Sequence, residues 1–325
     1  MEDISMKKKS LAKAAALIMA CGMLATTAQA ATLTMGTGGE SGTYYAFGGV
    51  LASYIGQNTD VNITVVSSGG SAANISDIVL NGTVELATVQ SDVMTYAYEG
   101  TNSFEESGAM SDFRVLGALY SEAVQIVTCD QNLVSVSDLA GKNVCVGDIG
   151  SGTYYNTIDV LSAYGMTLDD INPIYQSFGD STESLKDGKI DAAFICAGAP
   201  TTAVTDLATS KEVYLISIDD GHMASLLNAC PWYASLTIPA GTYEGFDKDT
   251  NTITVKATLI CSANLDEETA YTIVSTIYDN ADAIAELHGK GAELDLEFAT
   301  EGIAVPFHAG AAKYFEEKGI TVDTE

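Results

Sequence analysis

Residues 36–45 read GTGGESGTYY, and residues 147–155 read GDIGSGTYY. Each stretch follows a short apolar run of strand character, Leu33-Thr34-Met35 in one case and Asn143-Val144-Cys145-Val146 in the other. Each also precedes a run with apolar or aromatic residues at helical spacing, such as Tyr44, Phe47, Leu51 and Tyr54. A glycine-rich loop between strand and helix leaves backbone N–H groups unpaired at the positive end of the helix dipole. There they hold an anion without a charged side chain. Gly38, Gly39, Ser41, Gly42 and Thr43 meet that requirement in the first loop, and Gly150, Ser151, Gly152 and Thr153 in the second. Ser67–Ser71 supplies a third such strand end and Gln90-Ser91 a fourth. One of these loops alone is compatible with a plain tight turn; four at equivalent places point to a shared site.

Outward from the loops, the chain alternates strand, loop and helix. Strands are expected at 33–35, 61–66 and 86–89, with helices over 44–54, 72–80 and 93–99. A second unit repeats the order, with strands at 123–128, 143–147, 174–175 and 192–196 and helices over 155–164 and 181–187. From about Tyr233 the pattern changes to extended runs at 235–239 and 253–261 and helices over 266–287 and 309–318. This predicts an α/β protein built on parallel strands with crossover helices, whose ligand sits at the carboxyl ends of the strands. Extended connections near 117–122 and 231–236 divide it into one lobe of residues 31–119 plus 236–325 and another of residues 120–235, with a cleft between them.

The N-terminus carries Lys7, Lys8 and Lys9, an apolar stretch from Leu11 to Leu24, and Ala28-Gln29-Ala30 before Ala31. That order predicts a secretory signal peptide over 1–30, and Met6 is the natural start. Cys21 offers the other reading, a lipid anchor, although Met19 fits that pattern poorly and the apolar run continues past it. No later stretch approaches the ~20 apolar residues that cross a bilayer, so an extracytoplasmic location is expected. About 295 residues remain after residue 30, enough for two cores. They hold about ten Lys and Arg against about forty Asp and Glu, a field that repels nucleic acid and anionic lipid. Five cysteines remain, none in a CxxC pair; Cys129 and Cys145, in neighbouring strand-like runs, are the pair placed best for a bridge. The sequence carries no metal or cofactor motif.

Enzyme readings fare poorly. Neither glycine loop has G-x-G-x-x-G spacing, neither is followed by GK[ST], and no G-x-S-x-G elbow is present. His222, His288 and His308 share no HxxxH spacing. A secreted enzyme would have to use Cys196 or an acid such as Asp92. With Arg114 as the only arginine, a carboxylate ligand must be held chiefly by backbone N–H and hydroxyl groups, with Tyr44 or Tyr45 offering a phenol. Glu122, Asp92 and Asp148 lie near the expected cleft, either to answer an amino group or as solvated carboxylates.

In order along the chain stand GTGGESGTYY, VSSGGSAANI, TVQSD, LYSEAVQIV, DLAGKNVCVGDIGSGT, LKDGKIDAAFICAGAP, IPAGTYEG and PFHAGAAKYFEEKG. This series resembles the TAXI-type solute receptors of TRAP transporters over about residues 32–320. It departs at Ser67-Ser68, where Ser-Thr or Thr-Thr-Gly is usual, and at Phe307-His308-Ala309, which replaces Leu-His-Pro. The resemblance implies a two-lobed periplasmic-binding-protein fold of type II. It further implies closure on a small acid such as glutamate, glutamine or 2-oxoglutarate, and delivery to an ion-gradient-driven permease; the receptor is expected to be a monomer. Carried onto this chain, the implied contacts are Gly39, Ser41, Tyr44, Ser71, Gln90 and Ser91 from one lobe and Ser151, Gly152, Thr153, Ala199 and Pro200 from the other. Gly42 joins them from the loop reading above. A sensor protein on the same fold would share this site and differ only in its partner.

Overall fold

Residues 31–325 are described in the computed structural model; the expected signal peptide over 1–30 and Cys21 lie outside them. The strands are β1 (Ala31–Gly36), β2 (Val61–Val66), β3 (Leu86–Gln90), β4 (Phe113–Thr128), β5 (Asn143–Cys145), β6 (Asn172–Ile174), β7 (Ala192–Ala197), β8 (Tyr214–Leu215), β9 (Ala234–Ile238) and β10 (Thr250–Ser262). They form a single sheet of order β2-β1-β3-β10-β4-β7-β5-β6, with β8 on β4 and β9 on β10. Read inward from its two ends, the sheet repeats itself: β2-β1-β3-β10 from one side and β6-β5-β7-β4 from the other. β1 and β3 run parallel, as do β5 and both of its neighbours, whereas β4 and β10 are antiparallel to the strands beside them. The expected parallel βαβ order therefore holds in each half, and two long antiparallel strands join the halves.

Burial follows from strand pattern. All five residues of β3 are buried, because a central strand covered on both faces has no polar side to show. In the second half the pleat sorts neighbours to opposite faces. Val124, Ile126, Val144, Ala192 and Phe194 enter one core, while Ala123, Val127, Cys145, Ala193 and Ile195 enter the other. The helices follow the same logic: α1 (Thr43–Asn58) buries Phe47, Leu51 and Ile55 at i, i+4, i+8 and packs on β2. Burying each such side chain contributes roughly 1.5–3 kcal/mol.

After β2 comes α2 (Ser71–Ser76), and after β3 comes α3 (Ser91–Glu99). In the second half α4 (Gly152–Ala163) follows β5 and α5 (Phe178–Lys186) follows β6. Two helices, α6 (Thr202–Ala208) and α7 (Asp220–Ala229), lie in a part of the chain where the sequence pattern shows no clear helix. The C-terminal part adds α8 (Glu267–Tyr278), α9 (Ala281–Leu287), α10 (Leu296–Thr300) and α11 (Ala309–Glu317).

The structure differs from expectation in three places. The connection expected near 117–122 is the interior of the 16-residue strand β4. Gly117, at φ 151°, takes a backbone that other residues avoid, and the pairing with β10 shifts register on either side of the Thr258-Leu259 pair. Tyr278 uses that space, its hydroxyl donating to the carbonyl of Ala118 at 2.8 Å. The helix expected over 72–80 is α2 followed by a π-helical turn over Asp77–Asn81, which ends at Gly82 in the left-handed region. The helix expected over 266–287 breaks at Asp279-Asn280. Cys129 and Cys145 are both free thiols, as are Cys196, Cys230 and Cys261.

Candidate functional site

The strand-end loops of both halves converge on one cavity. The loop after β1 brings Gly38, Gly39 and Gly42 with Thr43 and Tyr44, and the loop after β2 brings Ser68, Gly69, Gly70 and Ser71. Gln90 closes β3, and the loop after β5 supplies Asp148, Ser151, Gly152 and Thr153. Ser177 and Phe178 after β6, Cys196 and Ala197 at the end of β7, and Glu122 on β4 complete the wall. The space between atoms is about 600 Å³, part of it open to solvent.

One wall is built to accept negative charge. The first turns of α1 and α4 carry no acidic residue, and their N-caps, Gly42 and Ser151, make no side-chain capping bond. Their leading N–H groups are thus left to a ligand. Ser151 Oγ is buried beside them without a hydrogen-bond partner, and a polar atom left so in a folded interior is destabilising until something bonds to it.

The opposite feature is Glu122, 1% exposed, whose Oε2 accepts the Tyr44 hydroxyl at 2.5 Å. Its carboxyl is pushed up to about 8, chiefly by burial and in part by Asp92, against the opposite pull of the Tyr44 bond and the Lys290 charge. Lys290 does not pair with it: its Nζ lies 2.5 Å from Glu293 Oε1. Tyr44 in turn is raised well above its ordinary value by burial and then by Glu122. The Cys196 thiol is likewise held high by burial, Glu122 and Asp92, the direction opposite to what a thiolate nucleophile needs.

Bonds join one half to the other around the cavity. Gln90 Nε2 donates to Asn156 Oδ1 at 2.9 Å, and Asn156 Nδ2 donates to Asp92 Oδ2 at 3.0 Å. Thr43 Oγ1 donates to the carbonyl of Gly198 at 3.2 Å, and the backbone N–H groups of Ala72 and Ala203 reach the carbonyls of Gly150 and Ser41 at 3.1 Å. Close approach is possible because the loops lack side chains: a Cβ on Gly70 would lie 3.3 Å from Ser151 Cα.

Of the residues picked from sequence, the cavity gathers Gly39, Gly42, Tyr44, Ser71, Gln90, Ser151, Gly152 and Thr153. It does not include Ser41, Ser91, Ala199 or Pro200. Ser41 lines a neighbouring surface depression, where its carbonyl binds the start of α6. Ser91 Oγ accepts the Lys256 N–H at 3.1 Å, so it ties α3 to β10. Ala199 and Pro200 lie beyond the point where β7 leaves the cavity, and the lining there is Cys196 and Ala197. Ser71 Oγ accepts the N–H of Gln90 at 3.0 Å and so fixes the third loop to the fourth. Ser177 and Phe178 are additions that the sequence reading missed, although Ser177 followed by Asp180 is a helix-start signal, and the Ser177 hydroxyl does cap α5.

Among solved structures, the chain is similar to the alkanesulfonate-binding protein SsuA from Xanthomonas axonopodis pv. citri bound to MOPS. That match has 16% identity over 90% of this chain and 92% of that one, with a TM-score of 0.50. A protein from Bordetella bronchiseptica RB50 matches at 17% identity over 88% of this chain and 89% of that one, with a TM-score of 0.54. At such identity the likeness concerns the fold, which is that of periplasmic binding proteins. The NMT1-like family profile matches residues 35–319, so the chain belongs to the NMT1-like family.

Proposed function

We propose that the protein is an extracytoplasmic solute receptor, not an enzyme. It captures a small carboxylate or amino acid, of the glutamate, glutamine or 2-oxoglutarate kind, and delivers it to an ion-gradient-driven TRAP permease. The observation that carries this reading is the convergence of glycine- and serine-rich strand ends from both halves of one sheet on a single cavity. The eight ordered motifs support the TRAP assignment, and the lysine-rich, apolar N-terminus supports export.

The mechanism is a population shift between open and closed arrangements of two lobes, residues 31–119 plus 236–325 and residues 120–235. A solute that touches the N-termini of α1 and α4 at once favours the arrangement in which both are in reach. The permease then reads the closed surface.

A thermal-shift screen of the chain from Ala31 onward, against amino acids and small mono- and dicarboxylates, tests the reading. Saturating ligand is expected to add about 2–4 kcal/mol of stability through RT ln(1 + [L]/Kd). A flat response across the whole panel overturns it. Co-reconstitution with its permease then separates the transport classes: uptake that needs ATP rather than an ion gradient removes the TRAP assignment.

A further inference from the structure

We propose that Glu122 accepts a cationic nitrogen of the solute and gives up its own proton to water as the solute binds, so that the site is selective for zwitterions over simple carboxylates. The inference rests on the receptor reading above and names the solute class that its cavity takes.

The geometry is the first argument. Glu122 projects from β4 into the cavity, 1% exposed, with a single hydrogen bond, from Tyr44. Among the described residues, the cations nearby are committed elsewhere. Lys290 is held by Glu293, whose other oxygen accepts the Ser121 N–H at 2.8 Å. Lys256 donates to the carbonyls of Phe298 and Glu301 at 2.8 and 2.6 Å, and Arg114 to those of Ser111 and Phe113 at 2.9 and 2.8 Å. A desolvated carboxylate with no cation is costly, so the group keeps its proton until a cation arrives.

The second argument is the other wall. The uncapped starts of α1 and α4 and the partnerless Ser151 Oγ suit a carboxylate. A molecule with a carboxylate at that end and an ammonium at the Glu122 end satisfies both walls. A second carboxylate in place of the ammonium would face Glu122 and be tolerated only while Glu122 stays protonated. Binding of R–NH3⁺ converts Glu122 from COOH to COO⁻, the proton leaves to buffer, and charge balances within the cavity.

Three of the other groups around Glu122 stay neutral across the range in which it titrates, and Asp92, raised to about 7, is the one that does not. Tyr44 on α1, Tyr120 on β4 and Cys196 on β7 are all held neutral, each shifted well upward by burial. Lys290 and Glu293 form their own ion pair on the turn at Gly289–Glu293. Two further acids stand nearby: Asp92 on α3 is bonded to Gln90 and Asn156 and lies outside the cavity lining, and Asp148, on the loop after β5, lines the cavity and accepts the Ile149 N–H at 2.9 Å.

The test is calorimetric titration between pH 6 and 9 with pairs of probes: L-glutamine against glutaramic acid, L-glutamate against glutarate, and L-alanine against propionate. Buffers of different ionisation enthalpy report the protons released. For the best amino acid, affinity is expected to rise about tenfold per pH unit up to about pH 8 and then level, with close to one proton released at pH 6.5. The matched acid without the amine is expected to bind at least about 100-fold more weakly, with affinity that falls as pH rises through 8. Glu122→Gln should abolish both the slope and the proton release. Tyr44→Phe, which removes the bond that favours the ionised form, should move the plateau to higher pH. If Glu122→Gln does not fold, the opposite slopes in the native protein and the Tyr44→Phe shift still decide.

Equal binding of the two members of a pair without proton release, or tighter binding of the deaminated acid, overturns the role of Glu122 and leaves the receptor reading standing. No binding by either series overturns both.

Discussion

The side-chain amide of Gln90 lies directly over the backbone of Gly152, so close that a Cβ at residue 152 would overlap Oε1 and Cδ of that amide. One residue ends β3 in the first half of the sheet, and the other starts α4 in the second. The same amide donates to Asn156, one turn further along α4. The second glycine loop thus has a purpose beyond exposing N–H groups: it lets a side chain from the opposite half lie flat against it.

Gly152→Ala is therefore expected to weaken solute affinity by about tenfold or more while leaving the melting temperature of the ligand-free protein within a few degrees. Alanine is a good helix former at that position, so the helix itself does not object. The nearest clash is with the Gln90 side chain, which comes from the opposite half. Unchanged affinity in calorimetry would show that Gln90 moves aside freely.

Trp232 is the only tryptophan of the chain, and Tyr96 on α3 meets it edge-on at 5.3 Å between ring centroids. Tyr155 on α4 approaches Tyr96 at 6.5 Å, so rings from both halves share one cluster. Solute binding should change the intensity or wavelength of tryptophan emission, and Tyr96→Leu should diminish that change. A solute that raises the melting temperature without altering Trp232 emission would argue against relative motion of the halves at this cluster.

Asp92, fully buried, has its carboxyl raised from 3.8 to about 7, chiefly by burial and then by Asp159. Between those two values the folded state holds a proton that the unfolded chain has lost, so stability falls as pH rises from about 4 to about 7. Glu122 extends the same fall to about 8. His288 and His308, both lowered by burial, act with the opposite sign, their contribution being lost as pH falls below the ordinary histidine value. The informative quantity is the difference from Asp92→Asn. Wild type is expected to lose about 2 kcal/mol or more relative to that variant between pH 5 and 7.5 in urea unfolding, and parallel profiles would refute the assignment.

His308 caps α11. Its Nδ1 accepts the Gly310 N–H at 3.2 Å, and its Nε2 lies 2.9 Å from the carbonyl of Leu265, a pattern that the neutral Nε2–H tautomer satisfies. His308→Ala should cost about 1 kcal/mol, and His308→Asn, which keeps an acceptor, less. Beside it, a Cβ on Gly310 would overlap the carbonyl of Glu267 at the start of α8, so Gly310→Ala is expected to cost about 2 kcal/mol or more. Chemical denaturation of the three variants tests this, and a neutral Gly310→Ala would mean that α8 and α11 separate easily.

Much was legible from local pattern. Strand-loop-helix order, the paired glycine loops and the positions of β1, β2, β3 and β7 follow from apolar periodicity and from where glycine interrupts it, both properties of neighbouring residues. Eight of the twelve residues picked for the site line the cavity for the same reason, since each sits at a strand end. What was missed depends on partners far along the chain. Gly117 looks like a break, yet the pairing of β4 with β10 carries a 16-residue strand through it. Ser91 looks like a site hydroxyl, yet the N–H of Lys256, 165 residues away, takes it.

Sequence alone determined the α/β order and its duplication, because each repeat is set by short-range steric and hydrophobic preferences. Only the tertiary structure decided that Glu122 is a buried acid with no ion-pair partner among the described residues and that Gln90 rests on Gly152. Both facts arise from which distant groups share a small, water-poor volume, and nothing in the neighbouring residues specifies that.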